Sequence, residues 1–312
     1  MKNKQNQQGN KEDNSSLFLF LKGVAMGASD IIPGVSGGTM ALITGIYERL
    51  IDSINKIKIS EPIKTFDFRF FIPLGLGIIS AVFLMADFLH YALNSFPAQT
   101  YAFFFGVILA SAIFVFNQHI KTTDSNTAKI ILVTMLGAVF AFLFVGLDPL
   151  SASSSLLILF LSAVVAISAM LLPGISGSFI LLLLGQYEYV LNIVKKVPAE
   201  MLLVVQGKKD SLFAIIQALN LAELFVFAGG AILGLLLFSK IIGYLLDHRK
   251  NITMAFLVGL MLGALRKPYE EVIQAGISSS DILLSVVVSG FVGIALVFVL
   301  EKITEHNLVE NE

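Results

Sequence analysis

Apolar stretches about as long as a membrane is thick recur along this chain, with short polar interruptions between them. A helix needs about twenty apolar residues to cross a hydrocarbon core of about 30 Å. Phe70–Leu93, Ala98–Gln118, Ala128–Leu147, Leu221–Leu246 and Ile282–Leu300 meet that length, while Ile252–Leu265 is shorter. Two other apolar stretches are broken near their middles: Ser16–Ile54 by Pro33-Gly34 and Gly37-Gly38, and Ser155–Val194 by Pro173-Gly174 and Gly177. The chain therefore divides into two series, each a broken segment followed by three spanning helices. Residues 1–15 form a polar tail, 16–150 the first series, 151–301 the second, and 302–312 a C-terminal tail, with both series joined in one transmembrane domain.

The broken segments repeat one another. Ile32–Glu48 and Leu172–Glu188, 140 residues apart, share eight of seventeen positions: Pro33/Pro173, Gly34/Gly174, Ser36/Ser176, Gly37/Gly177, Leu42/Leu182, Gly45/Gly185, Tyr47/Tyr187 and Glu48/Glu188. A fixed-period echo of this kind marks structural duplication. A second echo follows downstream, where Ala102-Phe103 with Gly106 and Ala110 matches Ala255-Phe256 with Gly259 and Gly263. Small residues four apart let helices approach closely in lipid.

Composition fixes the solvent. Only 14% of the residues are charged, 56% are hydrophobic and the mean hydropathy is +0.85, whereas a soluble domain carries about 25% charged residues. The net charge of −1 and the lack of a basic, aromatic-interleaved patch give no footing for nucleic acid. The absence of cysteine removes disulfide and thiol chemistry. No Walker A sequence, His-Glu-x-x-His run or nucleophile elbow is present, and the four histidines are scattered. The reading is of a non-enzyme that calls for no metal and no cofactor.

Charge also bears on topology. If each broken segment turns back as a re-entrant hairpin, the two series are inverted copies, and a cytoplasmic N-terminus leaves fifteen of the twenty-one Lys and Arg inside. If each crosses once, the best division is thirteen against eight. The positive-inside rule favours the hairpins. The preference comes from the first half; the second sets Lys195, Lys196, Lys208, Lys209, Arg266 and Lys267 outside, against the rule. The expected fold is thus an all-α integral membrane protein of two inverted repeats, each a broken re-entrant hairpin plus three transmembrane helices.

Proline removes a backbone donor and glycine admits positive φ, so Pro33-Gly34 and Pro173-Gly174 are helix breaks. Such breaks survive at membrane depth only where protein buries them or a polar cavity meets them. The helix that restarts offers free N–H groups and the positive end of its dipole. Ser36, Thr39, Ser176 and Ser178 stand where they cap that helix or turn hydroxyls toward a ligand. Paired broken helices from inverted halves are how secondary transporters build a substrate site. The plainer reading is a kink with serines bonded back to their own helix.

The run GVAMGASDIIPGVSGGTMALITGIYE at Gly23–Glu48, with LPGISGSFILLLLGQYE at Leu172–Glu188 and GLMLGALRK at Gly259–Lys267, resembles a family once labelled a domain of unknown function. That family is described as polyprenyl-phosphate transporters of the PopT type, and the resemblance extends from about Ser16 to Leu300. It implies a multi-pass protein of a prokaryotic plasma membrane that returns undecaprenyl phosphate, or a similar carrier lipid, to the cytoplasmic leaflet for envelope synthesis. The expected partners are then the polyprenyl phosphate, the bilayer, and protons or sodium ions. A rival from another class is a small-ion channel or cation-coupled antiporter built on the same hairpins.

The expected phosphate site comprises Ser36, Gly37, Gly38, Thr39, Ser176, Gly177 and Ser178, with Lys22 or Arg266 as the compensating cation. Charges at membrane depth are costly and usually functional, which makes Asp30, Glu48 and Glu188 the candidates for a coupling role. For Lys22 the bland alternative is snorkelling to the interface, for Arg266 an interfacial anchor, and for the two glutamates a structural part.

Overall fold

A computed structural model describes residues 15–30, 36–58, 60–120, 126–193, 221–276 and 280–309. Most of the expected polar tail, the residues Pro33 and Gly34 of the first break, and Lys195, Lys196, Lys208 and Lys209 lie outside these. Among the described residues all regular structure is helical and there is no strand. The elements are α1 (Ser16–Asp30), α2 (Gly37–Ile43), α3 (Tyr47–Asn55), the single turn α4 (Pro62–Thr65), α5 (Phe68–Ser95), α6 (Pro97–His119), α7 (Thr127–Val145), α8 (Leu156–Met170) and α9 (Gly177–Leu183). A short helix at 187–193, here α10, precedes α11 (Leu221–Ala264), α12 (Arg266–Gln274) and α13 (Ser280–Val309).

Five of the described helical segments are long and apolar enough to cross a membrane. The molecule is a multi-pass membrane protein, and its surface says so independently. Phe83 and Leu84 on α5 are nearly four-fifths exposed, and large apolar side chains stand out along α7 and α13, a surface that only lipid covers without cost. The interior, in contrast, buries hydroxyls and an amide: Ser36, Thr39, Ser111, Ser162, Ser176 and Gln186.

At 44 residues, α11 would measure about 66 Å if straight, over twice the hydrocarbon thickness. It is two limbs that meet at Arg249, where φ −142° and ψ 41° leave the helical region. Phe96, between α5 and α6, has nearly the same angles (φ −138°, ψ 54°). The hydroxyl bracing also matches. Thr100 Oγ1 donates to the carbonyls of Ala92 and Phe96 at 3.1 and 2.8 Å, and Thr253 Oγ1 to those of Leu245 and Arg249 at 3.1 and 3.0 Å. The sequence placed Leu221–Leu246 and Ile252–Leu265 in separate helices, and the break at Arg249 falls between them.

Glycine seams hold the helices together and reveal their directions. Gly23 abuts the backbone of Leu74 and Gly27 that of Ile78, so α1 and α5 run parallel. In the second series Gly230 meets Phe160 and Gly234 meets Val164, making α8 parallel to the first limb of α11. Gly106 and Gly293 interlock with the partner backbones in α6 and α13, while Gly137, Gly259 and Gly263 do the same between α7 and the second limb of α11. At each of these seams a Cβ would strike the neighbour's backbone, which is why glycine stands there.

The sequence echo has a structural counterpart. Both α1 and α8 have fifteen residues, and α2 and α9 have seven. Each short helix ends on a left-handed glycine, Gly45 at φ 72° and Gly185 at φ 64°. There the N–H groups of residues 45 and 46, and of 185 and 186, close back onto the preceding turn. This paired closure is the glycine stop that ends many helices.

Candidate functional site

The start of α2 and Tyr47 meet the second break in the interior and supply what it lacks. Between Met170 and Gly177 the chain leaves the helix through Gly174, at φ 84°, and several backbone groups lose their helical partners. Ser36 Oγ donates to Leu172 O (3.3 Å), Tyr47 Oη donates to Leu171 O (2.9 Å), and Thr39 Oγ1 accepts from Gly174 N (3.0 Å). Each uncompensated polar group in a dry interior costs several kcal/mol, and three hydroxyls from 124 to 136 residues away cover these. Ser36, Thr39 and Tyr47 are all buried. Gly38 fits the seam because a Cβ there would sit 3.1 Å from Met170 O.

The start of α2 is also occupied from within. Asp30, at the end of α1, accepts the Gly37 N–H at 2.7 Å, and Ser36 Oγ accepts that of Gly38 at 3.1 Å. A Cβ on Gly37 would lie 2.5 Å from Asp30 Oδ2, so a side chain there would displace the carboxylate. That oxygen, Oδ2, is buried and has no hydrogen-bond partner among the described residues.

The start of α9 is built differently. Met170 takes the place of Asp30, and Ser176 makes no capping bond to the helix. Its hydroxyl instead lies 2.7 Å from that of Ser178. Gly174, Ile175, Ser176 and Phe179 line a small cleft together with Phe144, Val145, Ala264 and Lys267. Lys267 pairs with Glu271 at 2.7 Å.

Of the expected site residues, Ser36, Gly37, Gly38 and Thr39 are thus brought against the second break; Ser36 and Thr39 bond to it, Asp30 accepts the Gly37 N–H and Ser36 that of Gly38. Ser176, Gly177 and Ser178 lie at the start of α9, with Ser176 in the cleft. Arg266 points elsewhere. Its guanidinium donates to Phe142 O at 2.8 Å, stacks on the Phe142 ring at 4.5 Å and pairs with Glu270 at 2.6 Å, so it closes the C-terminal end of α7. The neighbouring Lys267 is the cation that reaches the second break. Lys22 lies half-buried on α1 and is engaged. Glu48 forms an ion pair of 2.7 Å with Lys250, just past the break in α11, while Glu188 is exposed.

Two apolar cavities flank the first break. One, of about 300 Å³, reaches Gly37, Gly38, Met170 and Leu171. The other, of about 480 Å³, lies between α1, α2, α5, α6 and α13. Among the described residues, neither is lined by a charged side chain.

A family model described as undecaprenyl phosphate translocase-like matches residues 26–281. A Vibrio cholerae protein named polyprenyl-phosphate transporter is 36% identical over 277 residues, 85% of this chain and 82% of that protein. A Staphylococcus aureus protein of the same name is 31% identical over 259 residues, 79% of this chain and 83% of its own. No solved structure matches the chain.

Proposed function

The chain belongs to the undecaprenyl phosphate translocase-like family, and from that premise we propose that it carries a polyprenyl phosphate between the leaflets of a bacterial plasma membrane. The direction that serves envelope synthesis is return to the cytoplasmic leaflet. The observation that carries this reading is the combination at the two breaks: polar backbone deep in a lipid-facing bundle, bordered by cavities of apolar lining. A lipid monophosphate requires both, whereas a hydrated ion requires a polar path.

Helix direction supports the inverted arrangement of 16–150 and 151–301. Because α1 and α5 run parallel, we read α2–α3 as the returning arm of a re-entrant hairpin. The same reasoning applies to α8, α9 and α10. With alternate spanning helices reversing at Phe96 and Arg249, α7 and the second limb of α11 point one way and α6 and α13 the other. On this count α1 and α8 are opposed. Cysteines introduced at Glu61 and Asn126 should label from one side and one at Asp148 from the other. Labelling of the first two from opposite sides would sink the inverted reading.

The head group docks at the second break, on the Ser176 and Ser178 hydroxyls and the Gly177 N–H, with Lys267 exchanging Glu271 for the phosphate. A charge-assisted hydrogen bond is worth roughly 1.5–3 kcal/mol. The first break, already satisfied by Asp30, acts as the clasp. Moving phosphate inward against a negative interior costs about 2.3 kcal/mol per charge per 100 mV, so a co-transported cation serves the cycle. Asp30, with one bare buried oxygen, is the coupling candidate ahead of Glu48, which Lys250 holds. Movement of polyprenyl phosphate between leaflets of reconstituted vesicles, with and without proton or sodium gradients, tests both parts. No movement overturns the transport reading; movement indifferent to both gradients overturns the coupling.

A further inference from the structure

We propose that the larger cavity, bounded by α1, α2, α5, α6 and α13, receives the isoprenoid chain of the carried lipid; this rests on the transport reading above. Its volume of about 480 Å³ falls within the range of about 300–1,000 Å³ typical of ligand sites. The wall is built from Met40, Met85, Phe88, Phe103, Phe104 and Val107. Thioethers and ring faces are polarisable surfaces that adapt to a methyl-branched, unsaturated chain.

Three of the four polar side chains described in that wall are engaged. Ser29 Oγ donates to Met26 O at 2.7 Å, Thr100 Oγ1 to Phe96 O at 2.8 Å, and Gln99 Nε2 to Ser285 Oγ at 3.0 Å. An occupant that brought hydrogen-bonding groups would find these partners taken, while a hydrocarbon chain loses nothing by their engagement.

Position selects the substrate's chain over an acyl chain of the bilayer. Ser29 precedes Asp30, and Met40 is one turn past Gly37, so the cavity abuts the clasp beside which the head group docks. Ala25 and Ala28 on α1 keep the wall thin on this side, and Met26 of the same helix lines the smaller cavity beyond it. Phe88, 62% exposed, marks the side open to lipid. A chain anchored by its phosphate at the breaks therefore has an apolar recess within reach of its first isoprene units.

The experiment uses the full chain in nanodiscs and a polyprenyl phosphate bearing a diazirine in one of its first isoprene units. After illumination, peptide mapping should find the label on Met40, Met85 and Phe88. Unlabelled polyprenyl phosphate should compete it away and phosphatidylglycerol should not. Ala92→Phe, which fills the cavity, should lower labelling about tenfold without shifting the melting temperature; if that variant does not fold, labelling of the unmodified chain still decides. Label confined to lipid-facing Phe83 and Leu84, or competition by phosphatidylglycerol equal to that by polyprenyl phosphate, overturns the assignment. Retention of radiolabelled polyprenyl phosphate, measured separately, distinguishes the two levels. No retention defeats the transport reading as well, whereas retention with label outside the cavity defeats the chain site alone.

Discussion

The two breaks begin from nearly the same words and end in different chemistry. At the first, Asp30 lies against the start of α2 and three hydroxyls reach across the interface. At the second, Met170 replaces the carboxylate, the start of α9 has no side-chain cap, and two serines face each other beside a lysine-lined cleft. A duplicated element has been divided into a part that is spent internally and a part left chemically open. The difference teaches that one carboxylate at the end of the preceding helix is enough to fill the start of a broken helix from within.

The strongest way to break that contrast is at the paired glycines. Gly37→Ala would push a methyl group into Asp30 Oδ2, while the added methyl of Gly177→Ala would find its nearest atom, Ala166 O, at 3.1 Å. The first should cost up to about 3 kcal/mol, the worth of the bond that the displaced carboxylate loses, and the second about 1 kcal/mol, read as melting temperature in detergent. Equal losses would mean the carboxylate does not shape the first break.

Next in size is Asp30→Ala, which strips the Gly37 N–H of a charged acceptor. The expected loss is roughly 1.5–3 kcal/mol, with Met170→Ala showing no comparable polar component. Tyr47→Phe should follow, at about 1–3 kcal/mol, because it leaves Leu171 O unpaired in a buried place. Stability unchanged in Tyr47→Phe would remove the phenol from the clasp.

The serines sharpen the comparison by separating two readouts. Ser36→Ala loses a cap and a cross-link and should lower stability by about 1 kcal/mol. Ser176→Ala should leave stability nearly intact and weaken binding of polyprenyl phosphate instead, measured by ligand-induced shift in melting temperature. Smallest is Lys250→Ala, whose ion pair with Glu48 is about half exposed; the change should stay below about 1 kcal/mol. A larger drop would make the α3–α11 junction structural in a way its exposure does not suggest.

Much of this was legible in the sequence, and the remainder was hidden for definite reasons. The helix breaks and the 140-residue echo could be read because proline, glycine and period are local signals. Tyr47 could be read only as a repeated position, since its partner, Leu171 O, is a backbone atom 124 positions away with no side-chain signature. Arg266 and Lys267 are adjacent in sequence but project about 100° apart on a helix, so spacing alone does not say which faces the break; Arg266 turns to α7 and Lys267 to the cleft. Asp30 was recognised as out of place in lipid, yet its bond to the Gly37 N–H, seven residues on, is a tertiary contact that no periodicity encodes.

The hydroxyl bonds across the interface also have a mechanical meaning. Drawing the breaks apart would expose Leu171 O, Leu172 O and Gly174 N together, with no water to replace Tyr47, Ser36 and Thr39. At several kcal/mol for each bare group, the junction is a costly place to part. The outer helices, by contrast, meet along glycine seams that offer few protruding side chains to catch.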